Sequence, residues 1–226
     1  MNMIKKLYQK GLQKSGKNYT LDKRIPNGLL RYSLSKRIFL LFRGFLKLRK
    51  RVFVGKKVVF LNKKNISFGS NVTIENNCFI DAYAANKVIF GNNVKIGAFS
   101  SLSITSHMSK YGVGFKIGNN SGVGRFAEFG SSGGIEIGED VIMGSYVSFH
   151  SENHNFKDIS KPIREQGVTS EGIKLGNNIW VGAKVTFLDG CKVGNNCVIA
   201  AGAVVKGVFP NNVVIGGVPA KIIKEV

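Results

Sequence analysis

From Leu175 the chain repeats a six-residue pattern: L-G-N-N-I-W, V-G-A-K-V-T, F-L-D-G-C-K, V-G-N-N-C-V, I-A-A-G-A-V. The first place is aliphatic or Phe, the second is usually Gly, and the fifth is small or β-branched. The same phase fits the segments beginning at Phe68, Phe90, Ile117 and Ile137. A unit of this length makes a short strand with its first and fifth residues inward, followed by a corner where Gly or Asn accepts positive φ. Three strands and three corners close a coil of 18 residues, the distance from Leu175 to Val193. Stacked coils then bury a continuous apolar column. The pattern predicts an all-β parallel helix over about residues 52–226. Cys78, Cys191 and Cys197 fall on the fifth place beside Val94, Val147 and Val185. They are expected to be small core residues, free thiols of a reducing compartment.

The spacing between coil starts shows where residues leave the wall. Ile117 to Ile137 is 20 residues, Phe90 to Ile117 is 27, and Ile137 to Leu175 is 38. The last interval is one coil plus a polar loop over about 151–172. A loop this long in a compact repeat points to function. His150 and His154 stand where it begins, and His107 lies in the earlier insertion.

Charge divides the chain in two. The 226 residues carry a formal net charge of +20, and residues 1–64 hold 19 Lys and Arg against the single acid Asp22. The body beyond is nearly neutral. Within residues 30–52, Leu30, Leu34, Ile38, Leu41, Phe42, Phe45 and Leu48 recur at helical spacing among Lys36, Arg37, Arg43, Lys47, Arg49, Lys50 and Arg51. Residues 1–51 are therefore expected to form a basic, partly helical segment, with residues 30–52 resting on an anionic membrane surface. Nucleic acid is not expected as a partner, because no binding motif appears and the body is neutral. The basic start is followed by no apolar signal-type core, and no apolar run is long enough to span a bilayer. A cytoplasmic protein, peripheral on the inner face of the cell membrane, is the expectation.

The closing stretch IWVGAKVTFLDGCKVGNNCVIAAGAVVKGVFPNNVVIGGVPAKII resembles the C-terminal end of the sugar O-acetyltransferases, within the hexapeptide-repeat acyltransferases. The resemblance covers about residues 52–226 and implies a left-handed parallel β-helix, a homotrimer with sites between neighbouring chains, and acetyl-CoA as acyl donor to a sugar or glycan hydroxyl. In that family the catalytic histidine lies 17 residues after its coil start, which is His154 counted from Ile137. The resemblance makes His154 the general base that takes the acceptor's proton. It assigns Ala183 and Ala201 to the pantetheine arm and thioester, with the Ala183 amide as oxyanion donor. Lys206, Lys221 and Lys224 match its basic positions at the nucleotide end, although the lysine at Lys206-Gly207 stands one position away from the family's Thr-Lys pair. His150, Asn153 and Trp180 are candidates for acceptor binding. Glu128, Glu136 and Glu152 are candidate orienting carboxylates for His154. Transfer to an amino sugar and a non-catalytic trimeric scaffold are the alternatives. A zinc site like that of the γ-class carbonic anhydrases is disfavoured, because His150 and His154 are one residue too close for its histidine pair, and no metal is expected.

Overall fold

A computed structural model describes residues 3–14 and 19–226. Two helices, α1 (Met3–Lys14) and α2 (Asn27–Leu48), precede the first strand at Phe53. From there consecutive strands pass in rotation through three sheets of nine, seven and seven strands, so every third strand pairs in parallel with the one a coil earlier. The molecule is a parallel β-helix of triangular section. Its core is the predicted column. Val94, Val147, Val185 and Cys191 are fully buried, and Cys78 and Cys197 are nearly so. In the second sheet Phe129, Phe149 and Phe187 stack inside, with ring centroids 5.0 and 4.4 Å apart. These distances are close to the spacing of neighbouring strands, so each coil adds one ring to the stack.

The corners take positive φ at Asn and Gly as expected, and they do so mainly in one place of the hexad. The repeated second-place glycines do not provide the positive φ; the fourth place does, at Asn93, Asn120, Asn178 and Asn196. The glycines answer a different need. A Cβ on Gly97 would lie 2.3 Å from the Gly124 oxygen, and one on Gly118 would lie 2.6 Å from the Gly138 oxygen. Successive coils touch there backbone to backbone. The fourth-place residues at the corner between the third and first sheets form side-chain ladders. Asn71 donates to Asn93 at 2.9 Å, Asn93 to Asn120 at 2.9 Å, and Asn178 to Asn196 at 3.0 Å. At the corner between the first and second sheets the same place holds Phe99, Phe126 and Tyr146, all at positive φ. A bulky side chain rarely adopts that backbone. Here the three rings stack at 5.1 and 4.8 Å, and the contact offsets the local strain.

Helix α2 meets the first coil through a side that mixes apolar residues with cations, not through the middle of its apolar stripe. Its buried residues are Leu30, Leu40 and Gly44. Several cations of the basic segment face the protein. Arg43 Nε donates to the Val54 carbonyl at 3.0 Å, Lys47 Nζ to the Val58 carbonyl at 2.8 Å, and Lys50 Nζ to the Ile66 carbonyl at 3.1 Å. Arg37 donates to Asn71 Oδ1 at 2.7 Å and covers the Phe53 ring at 3.9 Å. No coil precedes the first one to take these oxygens, so long cationic side chains take them instead. Most of the predicted stripe, including Leu34, Ile38, Phe42 and Phe45, is exposed.

Candidate functional site

Both insertions leave the wall at the corner after the second sheet, and they pack on each other. Glu152 accepts hydrogen bonds from Ser132 Oγ at 2.6 Å and Ser106 Oγ at 3.2 Å. Lys110 Nζ donates to Ser170 Oγ. Across the later loop the stacking continues: Phe149 pairs with Phe187 and His150 with Leu188, as though the intervening residues were absent. The loop is thus an excursion hung on an intact coil.

The excursion is itself structured. Asn153–His154 pairs antiparallel with Val168–Thr169. Gln166 holds the tip: its side chain donates to the Asp158 and Lys161 carbonyls at 2.8 and 2.9 Å and accepts the Asp158 amide at 3.0 Å. Hydrogen bonds from the Ser160 hydroxyl and amide hold the Asp158 carboxyl below its usual range. At the base of the loop, buried Asp189 accepts the Gly172 amide at 2.9 Å and the Glu171 amide at 2.9 and 3.1 Å. The Asn153 side chain reaches the same carboxylate at 3.5 Å.

Between loop and wall lies a groove of about 740 Å³ whose lining includes Asn153, His154, Gln166, Leu188, Asp189 and Lys206. The structure therefore brings together three of the predicted residues: His154, Asn153 and Lys206. His154 is exposed, and its imidazole makes no hydrogen bond among the described residues. None of the three candidate carboxylates reaches it. Glu152 is engaged with the two serines, Glu136 lies 3.7 Å from Lys174, and Glu128 sits in the second-sheet strand Glu128–Gly130. His150 projects from the second sheet between Gly130 and Leu188. His107 is held by Ser109, its Nδ1 2.7 Å from the hydroxyl. No three His, Cys, Asp or Glu side chains gather as metal ligands among the described residues.

Ala183 and Ala201 lie elsewhere, on the corner between the first and second sheets. They are stacked directly: the Gly202 amide, next to Ala201, donates to the Ala183 carbonyl at 2.9 Å. The strand Thr186–Leu188 separates that corner from the groove, a span of roughly 10 Å at strand rise. Both alanines are exposed, and neither amide N–H donates a hydrogen bond among the described residues. The side chains explain why. Where the third place of the next coil is Asn, its oxygen accepts the third-place amide below; Asn195 takes that of Asn177 at 2.8 Å. Ala201 and Gly217, which hold that place above Ala183 and Ala201, have no side-chain oxygen to offer. This fits the binding of an acyl-pantetheine chain, which carries amide and thioester carbonyls and needs donors beside small side chains. Trp180 is exposed on the first sheet next to its register partner Ile142. Lys221 and Lys224 lie on the terminal strand Ala220–Glu225, which pairs antiparallel with Val213–Gly217.

Asp189 and Gln166 were not singled out from the sequence. A signal for Asp189 existed: it takes the third place of F-L-D-G-C-K, as Ser151 does in the hexad that opens the loop, and Phe149 and Phe187 are register partners. Counting hexads puts the carboxylate over the loop's exit.

Residues 172–207 match the family model described as "Bacterial transferase hexapeptide (six repeats)". The chain is 29% identical over 171 residues to "Putative lipopolysaccharide biosynthesis O-acetyl transferase WbbJ" of Escherichia coli, covering 73% of this chain and 74% of that protein. It is 33% identical over 119 residues to the galactoside O-acetyltransferase of Escherichia coli, covering 50% and 57%. With "Probable acetyltransferase Rv3034c" of Mycobacterium tuberculosis it shares 36% identity over 91 residues, 40% of this chain and only 30% of that one. Among solved structures, the N-acyltransferase AntD from Bacillus cereus, in complex with dTDP and 3-hydroxybutyryl-CoA, superposes with a TM-score of 0.52 at 19% identity, covering 78% of this chain and 80% of that one. That likeness is one of fold. The six-residue repeat, the three-sheet coil and the family-model match over residues 172–207 identify a hexapeptide-repeat parallel β-helix, and the relatives it resembles are named as acetyltransferases.

Proposed function

We propose that the protein transfers an acetyl group from acetyl-CoA to a sugar hydroxyl of a bacterial surface polysaccharide or its precursor, with His154 as general base. The observation that carries this reading is the pairing of two features on successive coils: a free imidazole at the root of a built loop, and the open Ala183 and Ala201 amides across the strand Thr186–Leu188. The acceptor oxygen attacks the thioester carbonyl while His154 takes its proton. The Ala183 amide donates to the oxyanion as it forms. Collapse of the tetrahedral adduct breaks the carbon–sulfur bond, and the CoA thiolate leaves with a proton returned by the imidazolium. Lys206, Lys221 and Lys224 supply positive charge for the nucleotide end, and Asn153, His150 and Trp180 contact the acceptor.

A single chain leaves His154 and the open amides on different corners. We therefore read the active form as a homotrimer of left-handed β-helices in which one chain's loop faces its neighbour's alanine corner. The loop supports this, because Phe156, Ile159 and Ile163 are exposed, Ile159 completely. The resemblance to a lipopolysaccharide O-acetyl transferase and to a galactoside O-acetyltransferase supports oxygen over nitrogen as the acceptor atom. The decisive experiment incubates purified protein with labelled acetyl-CoA and polysaccharide from cells lacking the protein. Alkali-labile label on the glycan is expected. Alkali-stable label would mean amide formation, and no transfer to any glycan fraction would remove the reading.

A further inference from the structure

Helix α2 docks on the β-helix partly through cations and leaves much of its apolar side outward, and this leads to an interaction surface that does not depend on acetyl transfer. The side that meets the β-helix carries Arg37, Arg43 and Lys47 around Leu40 and Gly44. The opposite side displays Ile38, Phe39, Phe42, Phe45 and Leu46 at 69, 62, 60, 52 and 57% exposure. On a helical wheel these five span one continuous arc. The orientation is held by the cationic caps on the Val54 and Val58 carbonyls and by the seat of Gly44, where a Cβ would lie 1.7 Å from the Val52 oxygen. The helix has no freedom to roll its apolar side inward. A contiguous apolar face on a clamped helix marks an interaction site.

The surrounding charge selects the occupant. Arg31, Arg49 and Arg51, at the ends of the arc, are exposed. A second copy docking face to face would bring another segment with 19 cations against one acid, and like charges would oppose it. An anionic bilayer surface offers both an apolar layer and counter-charge. No helix among the described residues is long and apolar enough to cross a membrane. We propose that α2 lies flat in the interface of an anionic membrane, with Phe39, Phe42 and Leu46 at the acyl boundary and Arg31, Arg49 and Arg51 among the lipid phosphates.

Flotation of the full chain with vesicles tests this. The protein is expected to float with phosphatidylglycerol–phosphatidylcholine vesicles and not with pure phosphatidylcholine, and to release as salt rises. Phe39→Asp combined with Phe42→Asp is expected to lower vesicle affinity at least about tenfold while melting temperature and solution mass stay unchanged. Leu46→Glu, an independent exposed change, is expected to act in the same direction. The proposal is overturned if the wild type binds neither vesicle, if it binds neutral vesicles equally well, or if the variants bind as wild type does. It is equally overturned if the double variant lowers the solution mass, which would assign the face to another copy. Acetyl transfer to a small soluble sugar, measured alongside, reports on the active site separately.

Discussion

Asp189 Oδ1 accepts the Gly172 amide at 2.9 Å, and with the two contacts from the Glu171 amide it fastens the returning end of the His154 loop to the wall. The same carboxylate touches Asn153 at the outgoing end. One buried side chain thus closes the base of the excursion that carries His154.

Asp189→Ala is expected to leave the buried Gly172 amide without an acceptor, at about 1–3 kcal/mol of stability. Turnover should fall further than this stability loss explains, with acetyl-CoA affinity retained. Equilibrium denaturation and steady-state kinetics on the same preparation separate the two effects. Unchanged turnover in a folded variant would show that the clamp does not position His154.

His154→Ala is expected to lower turnover by about 10²–10⁴-fold, the usual value of a general base. The residue is exposed, so thermal stability should hardly change. More than about a tenth of wild-type turnover remaining would remove it from the role of base.

Ala201→Asn tests the open amides. An Asn in that place is expected to accept the Ala183 amide as Asn195 accepts that of Asn177 at 2.8 Å. Stability should hold or rise slightly, while turnover falls because the oxyanion donor is occupied. Ala201→Ser, with a shorter reach, should be milder. Kinetics for both variants give the comparison.

Gly44→Ala would place a methyl 1.7 Å from the Val52 oxygen. Overpacking of this kind costs about 1–3 kcal/mol and should push α2 off the first coil. A lowered melting temperature, with faster hydrogen exchange of residues 52–58, is the expected result.

Burial pushes the Cys191 thiol up to about 12 from 9.0. The unfolded thiol ionises as pH rises past its ordinary value while the folded one does not. This contribution to stability is therefore complete below pH 9 and is lost progressively as pH climbs towards 12. The Cys78 thiol is raised by burial in the same direction. Both should resist alkylation in the native state near pH 8 and react on denaturation, as thiol titration will show.

The hexad by itself determined the coil. A side chain in the first or fifth place must point inward whatever its neighbours do, so Phe149, Phe187, Cys191 and Cys197 could be placed in the core from phase alone. The interruption of that phase located the loop, because 38 residues cannot fit one turn that needs 18. Three other features had no expression in the local pattern. The partner of Glu152 proved to be serines of two other coils, 46 and 20 residues earlier, since contacts between insertions depend on which corner each one leaves. Phe99, Phe126 and Tyr146 occupy a backbone that propensity denies them, because each ring is supported by the coil above or below. Periodicity marks an apolar stripe on α2 but does not show what the opposite side of the helix meets. The open end of the β-helix presents bare carbonyls, and Arg43 and Lys47 were better partners for these than Phe42 and Phe45, so hydrogen bonding at the docked surface decided which way the helix turned.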